Sequence, residues 1–174
     1  MSSPPIFGLV LTGGRSSRMS RDKASLAYHG RSQLERTMDL LTPFCSERFV
    51  SVRADQRNDP LRARYAQIVD REPGLGPLAG ILAAQAEVPT VAWLVVACDL
   101  PRLDADTLAQ LIKQRDTRHL ATAFRSSSDG LPEPLCALYE PASAPVIATY
   151  AASGGRCRCC CCMAILHGRS CGVT

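Results

Sequence analysis

The chain has 174 residues, enough for one domain with a substantial core, and 46% hydrophobic and 21% charged residues are ordinary for a globular protein. Its net charge of +4 is too mild and too dispersed to indicate nucleic-acid binding. No run approaches the ~18 apolar residues that a membrane span needs. The N-terminal apolar stretch lacks a preceding basic region. The sequence therefore predicts a cytoplasmic protein with no membrane span and no signal peptide.

Predicted strands and helices alternate along the chain. Short apolar runs rich in aliphatic residues predict strands at 6–11, 49–53, 67–70, 91–97, 120–124 and 135–139. Helical spacing of apolar residues predicts helices between Ser32 and Pro43 and at 61–66, 77–87, 103–115 and 143–152. Ser32, with Glu35 three residues later, predicts a capping box, and Asp104 is a candidate N-cap. This alternation predicts an α/β fold with a doubly wound, mostly parallel sheet that helices cover on both faces.

The most informative stretch is residues 11–23, LTGGRSSRMSRDK, which we call the cationic glycine turn. Gly13 and Gly14 follow the first strand and let the backbone turn sharply, with its N–H groups close to a ligand. Several cations follow within nine residues, namely Arg15, Arg18, Arg21 and Lys23. Backbone N–H groups and guanidinium forks bind phosphate oxygens, so the pattern favours a polyphosphate ligand. A solvated loop between a strand and a helix is the alternative that composition leaves open.

A carboxylate follows the most apolar predicted strand. Asp99 would lie at the carboxyl edge of the sheet, where open α/β proteins bind ligands. Mg²⁺ is usually held by one or two carboxylates together with substrate phosphates, which favours a metal site, whereas a role in capping the following turn is the alternative.

A glycine inside a predicted helix also needs an explanation. Gly80 lies within residues 77–87, where glycine costs ~1 kcal/mol relative to alanine. Close approach of a sugar or base would explain it, and so would close packing of the helix on the sheet.

Three segments carry a family resemblance. The cationic glycine turn resembles the signature Leu-x-Gly-Gly-x-x-x-Arg-Met-Gly-x-x-Lys of the Rossmann-like nucleotidyltransferases. Ser20 stands where that family usually has Gly, and the matching residues are Leu11, Gly13, Gly14, Arg18, Met19 and Lys23. The segment Gly76-Pro77-Leu78-Ala79-Gly80 is typical of the guanylyltransferase branch, and Cys98-Asp99-Leu100-Pro101 resembles its metal-binding Asp-x-Pro element. Over about residues 6–156 the chain thus resembles the molybdenum cofactor guanylyltransferases, the MobA family.

The resemblance implies a three-layer Rossmann-like fold of the nucleotide-diphospho-sugar transferase type. It also implies transfer of GMP from GTP onto molybdopterin, with release of pyrophosphate. Arg18, Lys23 and Asp99 would be the catalytic residues, with Asp99 as the ligand of a Mg²⁺ cofactor. GTP and molybdopterin would be the partners, together with transient contacts to other proteins of cofactor synthesis or to acceptor proteins, and without nucleic acid or membrane.

The resemblance further implies a set of nucleotide contacts: Leu11, Thr12, Gly13, Gly14, Arg15, Lys23, Arg53, Asp70, Gly76, Gly80 and Asp99. Arg53 stands where the family often carries Asn for guanine, and an arginine can still donate to guanine O6 or N7. Asp70 matches a nucleotide-contacting aspartate, and a solvated loop aspartate is the alternative. Pro134 and the strand after it resemble the part of the family fold that closes the pterin side.

The resemblance ends near Arg156. Residues 157–174 carry six cysteines, four of them consecutive at 159–162. Adjacent cysteines cannot all reach one tetrahedral ion, and a disulfide framework does not suit a cytoplasmic enzyme. The family continues instead through an Asn-x-Asn-Thr-Pro element and a final helix. We therefore interpret this end as out of frame, and predict a nucleotidyltransferase domain at 1–156 followed by a disordered cysteine-rich tail at 157–174.

Two other functions remain open at this stage. One is a cytidylyltransferase of the same superfamily, which the Gly-Pro-Leu-Ala-Gly segment argues against. The other is a domain that binds nucleotide but is inactive, because the C-terminal element of the family is missing.

Overall fold

A computed structural model describes residues 3–12, 27–28, 31–72, 74–126, 129–154 and 171–173. Its strands are β1 (Ile6–Leu11), β2 (Ala27–Tyr28), β3 (Arg31–Ser32), β4 (Glu47–Val52), β5 (Gln67–Val69), β6 (Ala92–Ala97), β7 (Ala121–Arg125), β8 (Pro132–Tyr139) and β9 (Cys171–Val173). Its α-helices are α1 (Gln33–Leu40), α2 (Pro77–Glu87), α3 (Ala105–Lys113) and α4 (Ala144–Ala152). Short 3-10 helices cover Ala54–Gln56, Arg62–Arg64 and Pro141–Ser143.

Seven strands form one sheet in the order β5-β4-β1-β6-β8-β7-β9. β1 pairs in parallel with β4 and β6, and β4 pairs in parallel with β5. β8 runs antiparallel to both β6 and β7, and β9 pairs in parallel with β7. β2 and β3 pair with each other, apart from this sheet. The predicted mostly parallel sheet is confirmed, with one strand reversed near its middle.

Successive side chains of the central strands enter two separate cores. Leu9 and Leu11 of β1 pack with residues of α2 and α4, whereas Val10 packs with residues of α1 and α3. Every residue of β6 is buried, which explains its continuous apolar sequence. Helices therefore cover both faces of the sheet, and the predicted three-layer α/β architecture is confirmed.

Two helix starts follow from side-chain caps that the sequence predicts. The Ser32 hydroxyl accepts from the backbone N–H of Glu35, and the Glu35 carboxylate accepts from the backbone N–H of Ser32. Asp104 accepts from the backbone N–H of Thr107 at the start of α3. Each cap satisfies N–H groups that have no partner within the helix, so both helices begin where the sequence indicates.

The predicted helix at 61–66 is wrong. The structure has only a 3-10 turn at Arg62–Arg64, and Tyr65 is already extended on the way to β5. The Asp59 carboxylate accepts from the Arg62 backbone N–H and also pairs with the Arg62 guanidinium. These contacts hold Arg62 in the 3-10 turn, and only Tyr65 and Ala66 remain between that turn and β5, which is too short for a longer helix.

The C-terminal segment differs from its predicted disorder at three residues. Cys171–Val173 pairs in parallel with residues 121–123 of β7. An edge strand presents unpaired N–H and C=O groups, and β9 satisfies those of β7. The predictions for residues 157–170 concern positions outside the described residues and stay predictions.

Three cysteines outside the tail lie in mainly apolar surroundings. Cys98 and Cys136 are buried and Cys45 is half-buried, so they pack as small hydrophobic residues. Burial raises the pKa of the Cys136 thiol to about 11 and that of Cys45 to about 12, so both stay protonated near neutral pH. In the part of the chain that the structure describes, no helix has the length and apolar character needed to cross a membrane.

Candidate active site at the carboxyl edge of the sheet

The parallel strands β1, β4, β5 and β6 end at one edge of the sheet, which we call the carboxyl edge. Leu11 pairs with Ser51 on one side and with Ala97 on the other. The backbone N–H of Cys98 donates to the carbonyl of Leu11 at 3.1 Å, and that of Asp70 donates to the carbonyl of Val52 at 2.8 Å. Three predicted site residues, Thr12, Arg53 and Asp70, directly follow these strand ends, and Asp99 lies two residues beyond β6. The sheet therefore brings them to a common edge, beside the start of the cationic glycine turn.

Asp99 lies in an exposed turn two residues beyond β6. Arg36 of α1 fixes this turn, because its guanidinium donates to the carbonyls of Pro101 and Leu103, both at 2.8 Å. Among the described residues, no three His, Cys, Asp or Glu side chains come together as a metal cage. A single exposed carboxylate suits Mg²⁺ that is also bound by substrate phosphates, so the residues present fit that ion.

Asp70 is held from the neighbouring strand. The hydroxyl of Ser51, itself 2% exposed, donates to the Asp70 carboxylate at 2.8 Å. Burial raises the pKa of the Asp70 carboxyl, while the Ser51 hydrogen bond and the nearby charge of Arg53 oppose that rise. Asp70 is thus a half-buried, oriented carboxylate rather than a freely solvated loop residue.

Gly80 faces the sheet from inside α2. A Cβ atom at this position would lie 2.3 Å from the Ser51 hydroxyl oxygen and 2.9 Å from Leu11 Cδ2. The structure thus supports the packing explanation for this glycine, and its predicted contact with ligand stays a prediction.

Gly76 is explained by its backbone. It precedes α2 with φ at +59°, a conformation that side-chain-bearing residues rarely adopt, and no atom of the described residues lies within 4 Å of the position a Cβ would take. It is exposed, so the predicted contact with nucleotide remains sterically open.

Arg53 forms an ion pair with the carboxylate of nearby Asp55. Its Nε and Nη2 atoms donate to the two carboxylate oxygens of Asp55, at 2.9 and 2.8 Å. This pairing raises the pKa of the Arg53 guanidinium. The side chain would have to leave Asp55, or share it, in order to contact a guanine base as predicted.

The structure adds a residue that the sequence did not indicate. Arg62 is 1% exposed, and its Nε donates to the Thr12 hydroxyl at 3.0 Å. The Thr12 hydroxyl in turn donates to the carbonyl of Ser51 at 2.7 Å. The one available signal was the Asp59-x-x-Arg62 spacing, which is too common to indicate burial.

The predicted phosphate ligands lie outside the described residues. These are Gly13, Gly14, Arg15, Arg18 and Lys23, and their roles stay predictions. The structure does place Leu11 and Thr12, the residues from which this segment starts, at the carboxyl edge.

Comparison with known proteins identifies the family. Residues 8–160 match the MobA-like NTP transferase domain. The chain belongs to this family. Among its relatives, the molybdenum cofactor guanylyltransferase of Xanthomonas euvesicatoria is 39% identical over 121 residues, 69% of this chain and 59% of that protein. The molybdenum cofactor biosynthesis bifunctional protein of Synechocystis is 38% identical over 141 residues, 81% of this chain and 41% of that protein.

The chain is thus matched to less than two thirds of the length of these curated relatives. Solved structures show the same fold at lower identity. Molybdopterin-guanine dinucleotide biosynthesis protein A of Archaeoglobus fulgidus has a TM-score of 0.76 and 24% identity, and covers 97% of this chain and 82% of its own. A 4-diphosphocytidyl-2C-methyl-D-erythritol synthase of Anaerococcus prevotii has a TM-score of 0.70 and 13% identity, with 98% and 86% covered. The predicted family and the Rossmann-like nucleotidyltransferase fold are confirmed.

Proposed function

We propose that this chain transfers GMP from GTP to molybdopterin and releases pyrophosphate. The observation that carries the proposal is the carboxyl edge: Asp99 follows β6, the neighbour of β1, and Asp70 is held by Ser51, the residue that pairs with Leu11 at the end of β1. The guanylyltransferase names of two relatives at 37–39% identity support guanine rather than cytosine nucleotide. Use of GTP also favours a cytoplasmic location.

The reaction requires little acid–base chemistry. An oxygen of the terminal molybdopterin phosphate forms a bond to the α-phosphorus of GTP. The bond between that phosphorus and the α–β bridging oxygen breaks, and its electron pair leaves with pyrophosphate. Positioning and neutralisation of charge govern the rate of such transfers.

The cations of the predicted turn match this need. Arg18 and Lys23, with Arg15 beside them, would bind the β- and γ-phosphates and stabilise the departing pyrophosphate. Mg²⁺ held by Asp99 would supply further neutralisation of the phosphate oxygens. Arg36 keeps the Asp99 turn in place through two backbone carbonyls.

The reversed strand β8 offers a place for the second substrate. Its residues from Cys136 to Tyr139 pair with β6, and its first residues, Pro132–Pro134, extend beyond the last paired residue of β6 at the carboxyl edge. Molybdopterin would lie on this side, opposite the β4 and β5 ends that carry Arg53 and Asp70. Transient contacts with other cofactor-synthesis proteins are part of the proposal only because molybdopterin must be delivered.

Ligand-dependent melting and turnover test the proposal together. Mg-GTP at 100 times its dissociation constant should add about 2.7 kcal/mol to the free energy of unfolding, and equimolar Mg-CTP should add clearly less. With molybdopterin present, the protein should release pyrophosphate from GTP. Equal stabilisation by CTP would instead favour a cytidylyltransferase, whose fold this chain shares.

The variant Asp99→Asn tests the metal ligand. It should lower turnover by at least ~100-fold, because an amide no longer neutralises Mg²⁺. Asp106→Asn, at an exposed aspartate in the first turn of α3, is the matched control and should leave turnover unchanged. Binding of Mg-GTP without any turnover, even with molybdopterin, would favour the inactive nucleotide-binding domain.

A further inference from the structure

Arg62 is a charged side chain that the protein buries next to the candidate site. Its exposure is 1%, and it lies in the 3-10 turn Arg62–Arg64 just before β5. Its guanidinium pairs with the Asp59 carboxylate at 3.1 Å, and Asp59 itself is 33% exposed. Among the described residues the guanidinium also donates to Thr12, to the hydroxyl at 3.0 Å and to the carbonyl at 3.5 Å.

Burial of a guanidinium is unfavourable unless its donors are satisfied. Desolvation of such a charge costs several kcal/mol, and a partly exposed carboxylate offsets only part of that cost. An apolar side chain would fill this space without the cost. The directed contacts to Thr12 are something that the guanidinium provides and an apolar side chain could not.

Thr12 is the residue at which the chain leaves β1. Its hydroxyl donates to the carbonyl of Ser51 and accepts from Arg62, so the side chain is fixed from two directions. The same Ser51 orients the Asp70 carboxylate. Arg62, Thr12, Ser51 and Asp70 therefore form one buried hydrogen-bonded network below the carboxyl edge.

We propose that Arg62 is a positioning residue for the nucleotide: its fork fixes Thr12, and so fixes the direction in which the chain leaves β1 toward the cationic glycine turn. The inference rests on the proposed function to the extent that a triphosphate binds at the cationic glycine turn. It assigns Arg62 no contact with substrate. The planar fork matters as well as the charge, since two of its nitrogens donate to different oxygens of Thr12.

Two variants and a matched control test this role. Arg62→Met removes the charge and the donors, whereas Arg62→Lys keeps the charge and loses the fork. The control is Arg115→Met, because Arg115 forms a buried bidentate pair with Glu140 at 2.6 and 2.9 Å. Glu140 follows Tyr139, which pairs with Trp93 near the start of β6, so this pair lies at the opposite edge of the sheet.

Affinity for Mg-GTP, Mg-CTP and magnesium tripolyphosphate is measured at a temperature where every variant is folded. We expect Arg62→Met and Arg62→Lys to weaken binding of each accepted ligand about tenfold, and Arg115→Met to change it less than twofold. In turnover, KM for GTP should rise while KM for molybdopterin changes less than twofold. The proposal would be overturned if both Arg62 variants kept the wild-type affinity, or if Arg62→Lys alone kept it in full. It would also be overturned if Arg115→Met lost as much affinity as the Arg62 variants.

Amide hydrogen exchange provides a readout that needs no ligand. Once each rate is corrected for the variant's own free energy of unfolding, peptides that span residues 9–12 should exchange at least about tenfold faster in Arg62→Met than in Arg115→Met, because the end of β1 loses its support. Equal exchange in the two variants would overturn the inference. If the wild-type protein binds none of the three ligands, the proposed function fails, and the exchange rates still decide whether Arg62 holds this strand end.

Discussion

Replacement of Gly80 by alanine offers a direct test of how α2 packs on the sheet. In an exposed helix this change stabilises by ~1 kcal/mol, because alanine is the better helix former. Here the added Cβ would lie 2.3 Å from the Ser51 hydroxyl oxygen, 3.0 Å from Ser51 Cβ and 2.9 Å from Leu11 Cδ2. Real Cβ atoms do not approach other atoms so closely, so α2 or Ser51 must move.

The size of the effect follows from what Ser51 does. Overpacking of a core by one methyl group costs ~1–3 kcal/mol. Displacement of the Ser51 hydroxyl would also break its hydrogen bond to the Asp70 carboxylate, and hydrogen bonds to charged groups contribute ~1.5–3 kcal/mol. After the gain in helix propensity, we expect Gly80→Ala to lower the free energy of unfolding by ~2–4 kcal/mol.

Urea unfolding followed by circular dichroism measures this free energy. Ala86→Gly, at an exposed position of the same helix, is the control for propensity and should cost ~1 kcal/mol. Adding Ser51→Gly to Gly80→Ala removes both Ser51 atoms from the contact and leaves only the flexible end of Leu11. The double variant should be more stable than the sum of the single effects predicts, by at least ~1 kcal/mol. A Gly80→Ala protein as stable as the wild type, or additive effects, would refute the reasoning.

Three further predictions follow from the described contacts. Burial raises the pKa of Asp70, so the folded protein favours the protonated carboxyl, and the stability from that group is lost as pH rises through the raised pKa. Asp70→Asn should therefore be at least as stable as the wild type at pH 7, and the difference in stability between them should shrink toward pH ~4. The same variant should bind Mg-GTP more weakly. Melting curves across pH and titrations with Mg-GTP check both parts, and a variant less stable at pH 7 than at pH ~4, relative to wild type, would contradict the sign. Arg53→Ala should weaken Mg-GTP binding more than Mg-CTP binding if Arg53 leaves Asp55 to contact guanine; equal losses in competition titrations would remove it from the base contacts. Arg115→Met should lower the free energy of unfolding by ~3–5 kcal/mol, because the Glu140 carboxylate, which is 3% exposed, would stay buried without its partner. A change under ~1 kcal/mol in urea unfolding would show that the pair contributes little to stability.

The local patterns of the sequence predicted most of the fold. The continuous apolar run that became β6 and the Ser32–Glu35 capping box are short-range signals, and both elements formed as expected. The helix predicted at 61–66 is wrong because Asp59 holds Arg62 in a 3-10 turn, and the burial of Arg62 against Thr12 adds a long-range contact. Fifty residues separate the two in sequence, and no periodicity records such a contact.

The candidate site was predicted unevenly for the same reason. Asp99 was found because it lies just beyond a strand, at the edge where parallel strands end, and Asp70 because it matches an aspartate of the family that the chain resembles. Gly80 was noticed as unusual, but its explanation needed the position of Ser51, 29 residues earlier in the chain, in three dimensions. Residues that hold the site residues in place do not belong to a recognisable sequence motif, and only their packing in the structure reveals them.

The reversal of β8 has a geometric consequence for any reaction that joins two phosphates. On one side of β6 the strands run out toward the carboxyl edge, and on the other β8 runs back from it. β1 and β8 therefore both pair with β6, and the distance between the two sides is set by inter-strand hydrogen bonds rather than by a hinge. An in-line approach between groups bound on the two sides would take its alignment from β6, every residue of which is buried.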